Sequence, residues 1–190
     1  MKKKWKKSYS IILAIVILLL VWTAIFTRIN IHELVAAIGV RNGYLLALGV
    51  ALLGGVSTFT TASFFTTIGV LSIGGLNPLF LGLVTAPALL LGDFIFYYLG
   101  TKGRTAVSEK NLAKIKKVEA WFEKKPVWFR PVGIYFYTAF TPLPADILMI
   151  ALALIGYKFR KALLAILLGH ITIVTWLGYL AKVTEGSVGF

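Results

Sequence analysis

Phe140-Thr141-Pro142-Leu143-Pro144-Ala145-Asp146 interrupts an apolar stretch that would otherwise suit the interior of a bilayer. Each proline removes a backbone donor and disfavours helix at the residue before it, and hydrocarbon offers no partner to the carbonyls left open. The segment must therefore be shielded by protein or line a wet cavity. An aspartate in such a place costs roughly 2.5 to 3.5 kcal/mol on insertion scales, a cost usually kept where the charge serves binding or transport. Residues 140–146 are thus a candidate working site.

Composition agrees with a membrane environment. Of 190 residues, 58% are hydrophobic and 7 are acidic, and the mean hydropathy is +0.86. These values describe one all-α, polytopic integral membrane unit. The chain has no cysteine, which excludes disulfides, thiolate metal sites and cysteine nucleophiles. Two histidines and scattered carboxylates leave little for a metal centre, and no cofactor is expected.

The N-terminus, residues 1–7, carries 5 lysines ahead of the apolar run Ser8 to Thr27. At about 1.5 Å per residue that run matches a bilayer core of about 30 Å. It is too long for a signal peptide and lacks a small-x-small cleavage site, so it reads as a retained transmembrane helix. The lysines place the N-terminus in the cytoplasm. From Asn30 to Arg41, Ile31, Leu34, Val35 and Ile38 share one helical face, with Asn30 as cap. This helix is too short to cross and suits the far interface, with His32 and Glu33 on its solvated side.

Residues 44–71 are apolar but broken by Gly49, Gly54 and Gly55 and then by Ser57-Thr58-Phe59-Thr60-Thr61-Ala62-Ser63. Neither arm reaches the roughly 20 apolar residues a span needs. Two readings are open, a re-entrant hairpin or a pair of short helices packed through small residues. Asn77-Pro78 opens a span over 78–100, with Pro87 as a kink and Asp93 near its end.

Residues 101–130 hold 9 of the 20 basic residues against 3 glutamates, which makes this segment cytoplasmic. Within it Ala113, Ile115, Val118, Trp121 and Phe122 interleave with Lys114, Lys116, Lys117, Lys124 and Lys125, as in a helix lying on an anionic leaflet. A basic patch tethered beside anionic lipid needs no nucleic acid as partner. Two cytoplasmic segments require an odd number of crossings between Arg28 and Thr101. The span 78–100 supplies one, so 44–71 enters and leaves on the same side.

The second half repeats the order: a hairpin over 131–155, a turn with Lys158, Arg160 and Lys161, a span over 162–182 and a tail over 183–190. Gly92-Asp93 and Gly169-His170 occupy corresponding places in the two spans. Two re-entrant hairpins in an inverted repeat are a recurring plan of transporters.

Gly92-Asp93-x3-Tyr97-x2-Gly100-x2-Gly103, ahead of a basic amphipathic loop and Pro142-Leu143-Pro144-Ala145-Asp146, resembles the DedA family, also called the SNARE-associated Golgi protein or VTT-domain family. The resemblance covers about residues 44–182, within a membrane domain of 28–182. It implies two re-entrant hairpins facing each other across a cell membrane, in a multi-pass protein that moves lipid between leaflets. Bacterial relatives are associated with returning undecaprenyl phosphate to the cytoplasmic face, coupled to protons or sodium, and eukaryotic relatives scramble phospholipids. This chain departs from the family twice. Thr61-Ala62-Ser63 stands where the first hairpin tip carries Pro-x-Glu, and Ala139 stands where the second carries Arg. Both losses suit a passive scramblase or a divergent substrate.

The resulting expectation is a flippase or scramblase for an anionic lipid, such as a polyprenyl phosphate or a phospholipid. Its transport or binding candidates are Asp146, Asp93, Pro142, Pro144, Ser63, Thr61, His170 and Arg130, with Lys114, Lys116, Lys117 and Trp121 at the membrane surface. Asp146 is expected to matter more than Asp93. Each aspartate also has a plainer reading as a cap or an interface group, as His170 has as a polar residue packed between helices rather than a proton carrier. Tyr97, Tyr98, Tyr135, Tyr137 and Trp176 read as belt or packing aromatics. A non-transporting membrane assembly or lipid-organising factor is the alternative function. A lipid phosphatase fits less well, because Lys124 and Arg130-Pro131 are one residue too close for that signature and His170 follows Leu168-Gly169 rather than Ser-Gly. The oligomeric state is not legible.

Overall fold

A computed structural model describes residues 37–54, 58–104, 109–141 and 144–188. The helix expected over 8–27, Asn30, His32, Glu33 and Pro142 lie outside the described residues, as does the side chain of Lys114. The described residues form seven helices in the order α1 (Val40–Gly54), α2 (Thr58–Ile73), α3 (Pro78–Arg104), α4 (Glu109–Glu123), α5 (Phe129–Phe140), α6 (Ala145–Leu154) and α7 (Phe159–Val188). No strand occurs among them.

Two of these helices are long and apolar enough to cross a membrane, over Pro78–Gly103 and Phe159–Gly186. Their outward faces carry exposed Leu83, Leu91, Phe94, Leu164 and Leu168. An outer face as apolar as the core is the pattern of a helix solvated by lipid. The other apolar helices have 15 (α1), 16 (α2), 12 (α5) and 10 (α6) residues. Each is shorter than the roughly 20 residues a bilayer core requires.

The spine is the contact between α3 and α7, and an apolar core lies on each side of it. One joins Ala47 and Ala51 of α1 and Phe64 and Ile68 of α2 to Leu81 and Ala88 of α3 and to Val174 of α7. The other joins Ile134 of α5 and Met149 and Leu152 of α6 to Ala162 and Ile166 of α7, with Phe96 and Tyr97 of α3 against it. The pairing of helices is regular. α3 packs against α1, with α2 between them in sequence, and against α6, while α7 packs against α5 and α2.

Both short-helix pairs enter their long helix through the same turn. Leu76 N–H donates to the Leu71 carbonyl at 3.1 Å, and Tyr157 N–H donates to the Leu152 carbonyl at 2.9 Å. In each case a glycine with positive φ, Gly75 (104°) or Gly156 (72°), occupies the residue between. This is the Schellman closure, in which only glycine takes the left-handed position without strain. Asn77 then caps α3, its Oδ1 accepting from Leu79 N–H at 2.9 Å and Phe80 N–H at 3.4 Å. Pro78 at the first helical position has no donor to lose.

Several boundaries differ from the sequence expectation. The interfacial helix expected through Arg41 ends sooner, because Gly39 has φ 80° and Val40 and Arg41 open α1 instead. Thr61-Ala62-Ser63, expected at a hairpin tip, is helical within α2. There Thr66 and Thr67 hydroxyls donate back to the Ala62 and Ser63 carbonyls at 2.9 and 2.8 Å. That local bonding lets threonine-rich sequence stay helical in an apolar setting. The basic segment 101–130 is mostly helical too, since α3 continues to Arg104 and α4 follows. Pro87 lies inside α3, which stays helical on both sides of it.

Candidate functional site

Asp93 sits on α3 and His170 on α7, with 3% and 6% of their surfaces exposed. His170 Nε2 and Asp93 Oδ2 are 2.6 Å apart, a hydrogen bond that holds one proton between imidazole and carboxylate. Position along the helices explains the setting. On α3 the first core ends at Leu89 and the second takes up Phe96 and Tyr97, while on α7 Ile166 belongs to the second core and Ile173 to the first. The pair therefore lies at the junction of the two apolar cores. A charge taken alone into such surroundings is costly, and a complementary partner with a short hydrogen bond offsets that cost. Chemically the pair is a buried donor–acceptor contact that ties α3 to α7.

Close helix contacts surround it. A Cβ on Gly169, the neighbour of His170, would lie 2.6 Å from Thr138 Cβ of α5, and one on Gly82 would lie 2.8 Å from the Ile171 carbonyl oxygen of α7. Only glycine permits this approach. The orientation of His170 is therefore set by the α5–α7 and α3–α7 contacts as well as by Asp93.

The segment joining α5 to α6 presents a different group. Pro144 is the N-cap of α6, extended at φ −58° and ψ 130°, and Asp146 falls in the first turn of that helix. A carboxylate there faces unpaired backbone donors and the positive end of the helix dipole. Asp146 is half-buried. The Tyr137 hydroxyl, on α5, donates to the Pro144 carbonyl at 3.3 Å. Nearby, Tyr135 Oη and Thr172 Oγ1 bond at 3.1 Å, and Trp176 Nε1–H donates to the Ala139 carbonyl at 3.1 Å. Tyr135, Tyr137 and Trp176, expected as belt or packing aromatics, thus spend their polar ends tying α5 to α6 and α7. The signal available in sequence was their polar tips within an apolar segment, but no spacing rule names the partners.

The structure brings Asp93 and His170 together, and Asp146 lies in the first turn of α6. Ser63 is exposed and Thr61 half-buried on α2. Arg130, at the start of α5, donates through Nη2 to the Glu123 and Lys125 carbonyls at 2.6 and 3.3 Å. Lys116, Lys117 and Trp121 are exposed on α4, where Lys125 Nζ lies 4.7 Å from the Trp121 ring centroid. Among the described residues no three His, Cys, Asp or Glu side chains converge as metal ligands would. No family model matches the chain, and no curated protein or solved structure shows significant similarity to it.

Proposed function

We propose that the chain is a lipid transporter of the DedA or VTT type, built as an inverted repeat of two re-entrant hairpins and moving an anionic lipid between leaflets. The observation that carries this reading is the buried Asp93–His170 bond at the junction of two cores that draw on both halves of the chain. Three further features support it. The two halves close their hairpins with the same glycine turn, each long helix packs on the second arm of the other half's hairpin, and the short apolar helices are too short to cross.

On this reading the bilayer is the second solvent, and the substrate is an anionic lipid such as a polyprenyl phosphate or a phospholipid. A proton on the Asp93–His170 pair is the coupling group, and sodium is the competing candidate. The multi-pass topology puts α4 and the N-terminus on the cytoplasmic side. No enzymatic step is assigned.

Reconstituted vesicles carrying a fluorescent anionic lipid provide the test. The parent chain should expose inner-leaflet lipid to an outside quencher, and Asp93→Asn should slow that exposure by about tenfold or more, the effect of losing roughly 1.4 kcal/mol. Vesicles with parent protein that protect the lipid as well as empty ones would refute transport. Topology is checked separately in this cysteine-free chain by labelling Lys116→Cys and Asn30→Cys, which should react from opposite faces.

A further inference from the structure

A second site lies where α4, the start of α5 and the α6–α7 turn meet. A cavity of about 200 Å³ is lined there by Arg130, Tyr157, Lys158 and Lys161, with Glu119 and Glu123 on the α4 side. None of this cavity's chemistry is used by the Asp93–His170 pair.

Arg130 is fixed for binding. Its Nη2 is held by the Glu123 and Lys125 carbonyls, and its guanidinium carbon stands 5.9 Å from the Phe122 ring centroid. Its Nε–H, however, is buried without an acceptor. An arginine held by two carbonyls loses little freedom when it binds, and its permanent charge attracts an oxyanion. Tyr157 stacks edge-on against Phe122 with ring centroids 5.3 Å apart. Burial raises the Tyr157 hydroxyl above its ordinary range, opposed in part by the Arg130 charge, so it remains a donor at neutral pH. Lys158 and Lys161 are exposed and bring two mobile ammonium groups to the rim. The glutamates are outnumbered by the cations, and their repulsion restricts the site to one compact anionic group rather than a polyanion.

We propose that this cavity binds a single phosphate group, with a lipid headgroup as its source. The surroundings favour lipid over a soluble phosphate. Trp121 and Trp128, close in sequence to the lining residues Phe122 and Arg130, are 54% and 66% exposed, and Lys116, Lys117 and Lys124 are exposed on α4 or just past it. Exposed tryptophans among lysines are the composition of a headgroup-level belt. An oxyanion entering from that level meets the Arg130 guanidinium among the lining residues.

The test measures binding by the full chain in neutral detergent, read by native mass spectrometry and by thermal melting. It compares phosphatidic acid, phosphatidylcholine and inorganic phosphate. The parent should retain phosphatidic acid in preference to phosphatidylcholine, and Lys158→Gln/Lys161→Gln should reduce that retention about tenfold or more. Lys116→Gln/Lys117→Gln, outside the cavity, should reduce it far less. Arg130→Gln should abolish it, and since that variant also loses two carbonyl bonds, the exposed lysine pair decides the matter if it misfolds. Stabilisation by inorganic phosphate equal to that by phosphatidic acid would keep the phosphate site and overturn the lipid source. Equal losses from both lysine pairs, or no preference for phosphatidic acid, would overturn the site itself. Binding here with no lipid movement in vesicles would refute transport and leave this inference standing.

Discussion

The two halves of this molecule share a scaffold and differ in chemistry. In both, a pair of short helices closes with a glycine turn and delivers a long helix to the centre. Their breaks are unlike. The first, between Gly54 and Thr58, leads into a threonine-rich helix whose hydroxyls bond their own backbone, while the second is flanked by Pro144 and Asp146. The arms respond accordingly. α1 packs broadly on α2, whereas α5 and α6 lean on the long helices instead. The polar ends of Tyr135, Tyr137 and Trp176 tie α5 to the α6 cap and to α7, so the second pair is braced by its bonds to neighbouring elements. The two pairs therefore share their closing turn and differ in how their arms are held.

The largest expected effect tests the shared scaffold. A Cβ on Gly100 of α3 would lie 2.7 Å from Ala153 Cβ and 3.0 Å from Ile150 Cα of α6. Its counterpart Gly178 of α7 would meet Ser72 Oγ of α2 at 2.6 Å and Pro78 Cβ at 2.8 Å. Ser72 and Ala153 hold the same place relative to their two turns. Gly100→Val and Gly178→Val should each destabilise the detergent-solubilised protein by about 3 kcal/mol, from overpacking against the Ile150 backbone at Gly100 and against the Ser72 and Pro78 side chains at Gly178. Gly103→Val, with no neighbour within 4 Å, should cost little beyond helix propensity. If one of the first two proved as mild as Gly103→Val, the equivalence of the two crossings would fail.

Next comes the bond between the halves. Removing one partner of a buried pair leaves an unpaired polar group, whereas removing both does not. Asp93→Leu and His170→Leu should each cost about 1 to 3 kcal/mol, with membrane values at the lower end. The double variant should be more stable than the sum of the two predicts. Strict additivity in thermal melting would mean that the 2.6 Å contact contributes no coupling, and the two aspartates would return to equal standing.

Much of this plan is legible in the residues themselves. Length and hydropathy mark out the two long helices, and glycine, Asn77 and Pro78 mark the entry to the first, because turns and caps are local chemistry. Asp93 and His170 were visible as polar residues within the two apolar spans. Their direct bond was not, since it depends on how two distant helices cross. The first tip was misplaced because Thr61 and Ser63 look like loop residues in a soluble protein, while in an apolar setting threonine satisfies its hydroxyl on its own helix. The Arg130 cavity escaped notice for a different reason. Lys158 and Lys161 serve equally well as topology signals, and only the fold sets them beside Arg130 and Tyr157.

The smallest expected effect separates the second tip from the buried pair. Asp146 is half-buried in the first turn of α6, where a carboxylate gains about 0.3 to 1 kcal/mol from the helix dipole. Asparagine keeps a side-chain acceptor for the same backbone donors, so Asp146→Asn should cost less than about 1 kcal/mol of stability. In the vesicle assay it should slow lipid movement less than Asp93→Asn does. This ordering reverses the one that sequence alone suggests, because burial rather than proximity to proline decides which carboxylate needs a partner. A fully active Asp93→Asn beside an inactive, well-folded Asp146→Asn would move the coupling site from the junction of the two cores to the proline tip. The asymmetry between the hairpins would then be the mechanism, and the Asp93–His170 bond would be left as a structural tie.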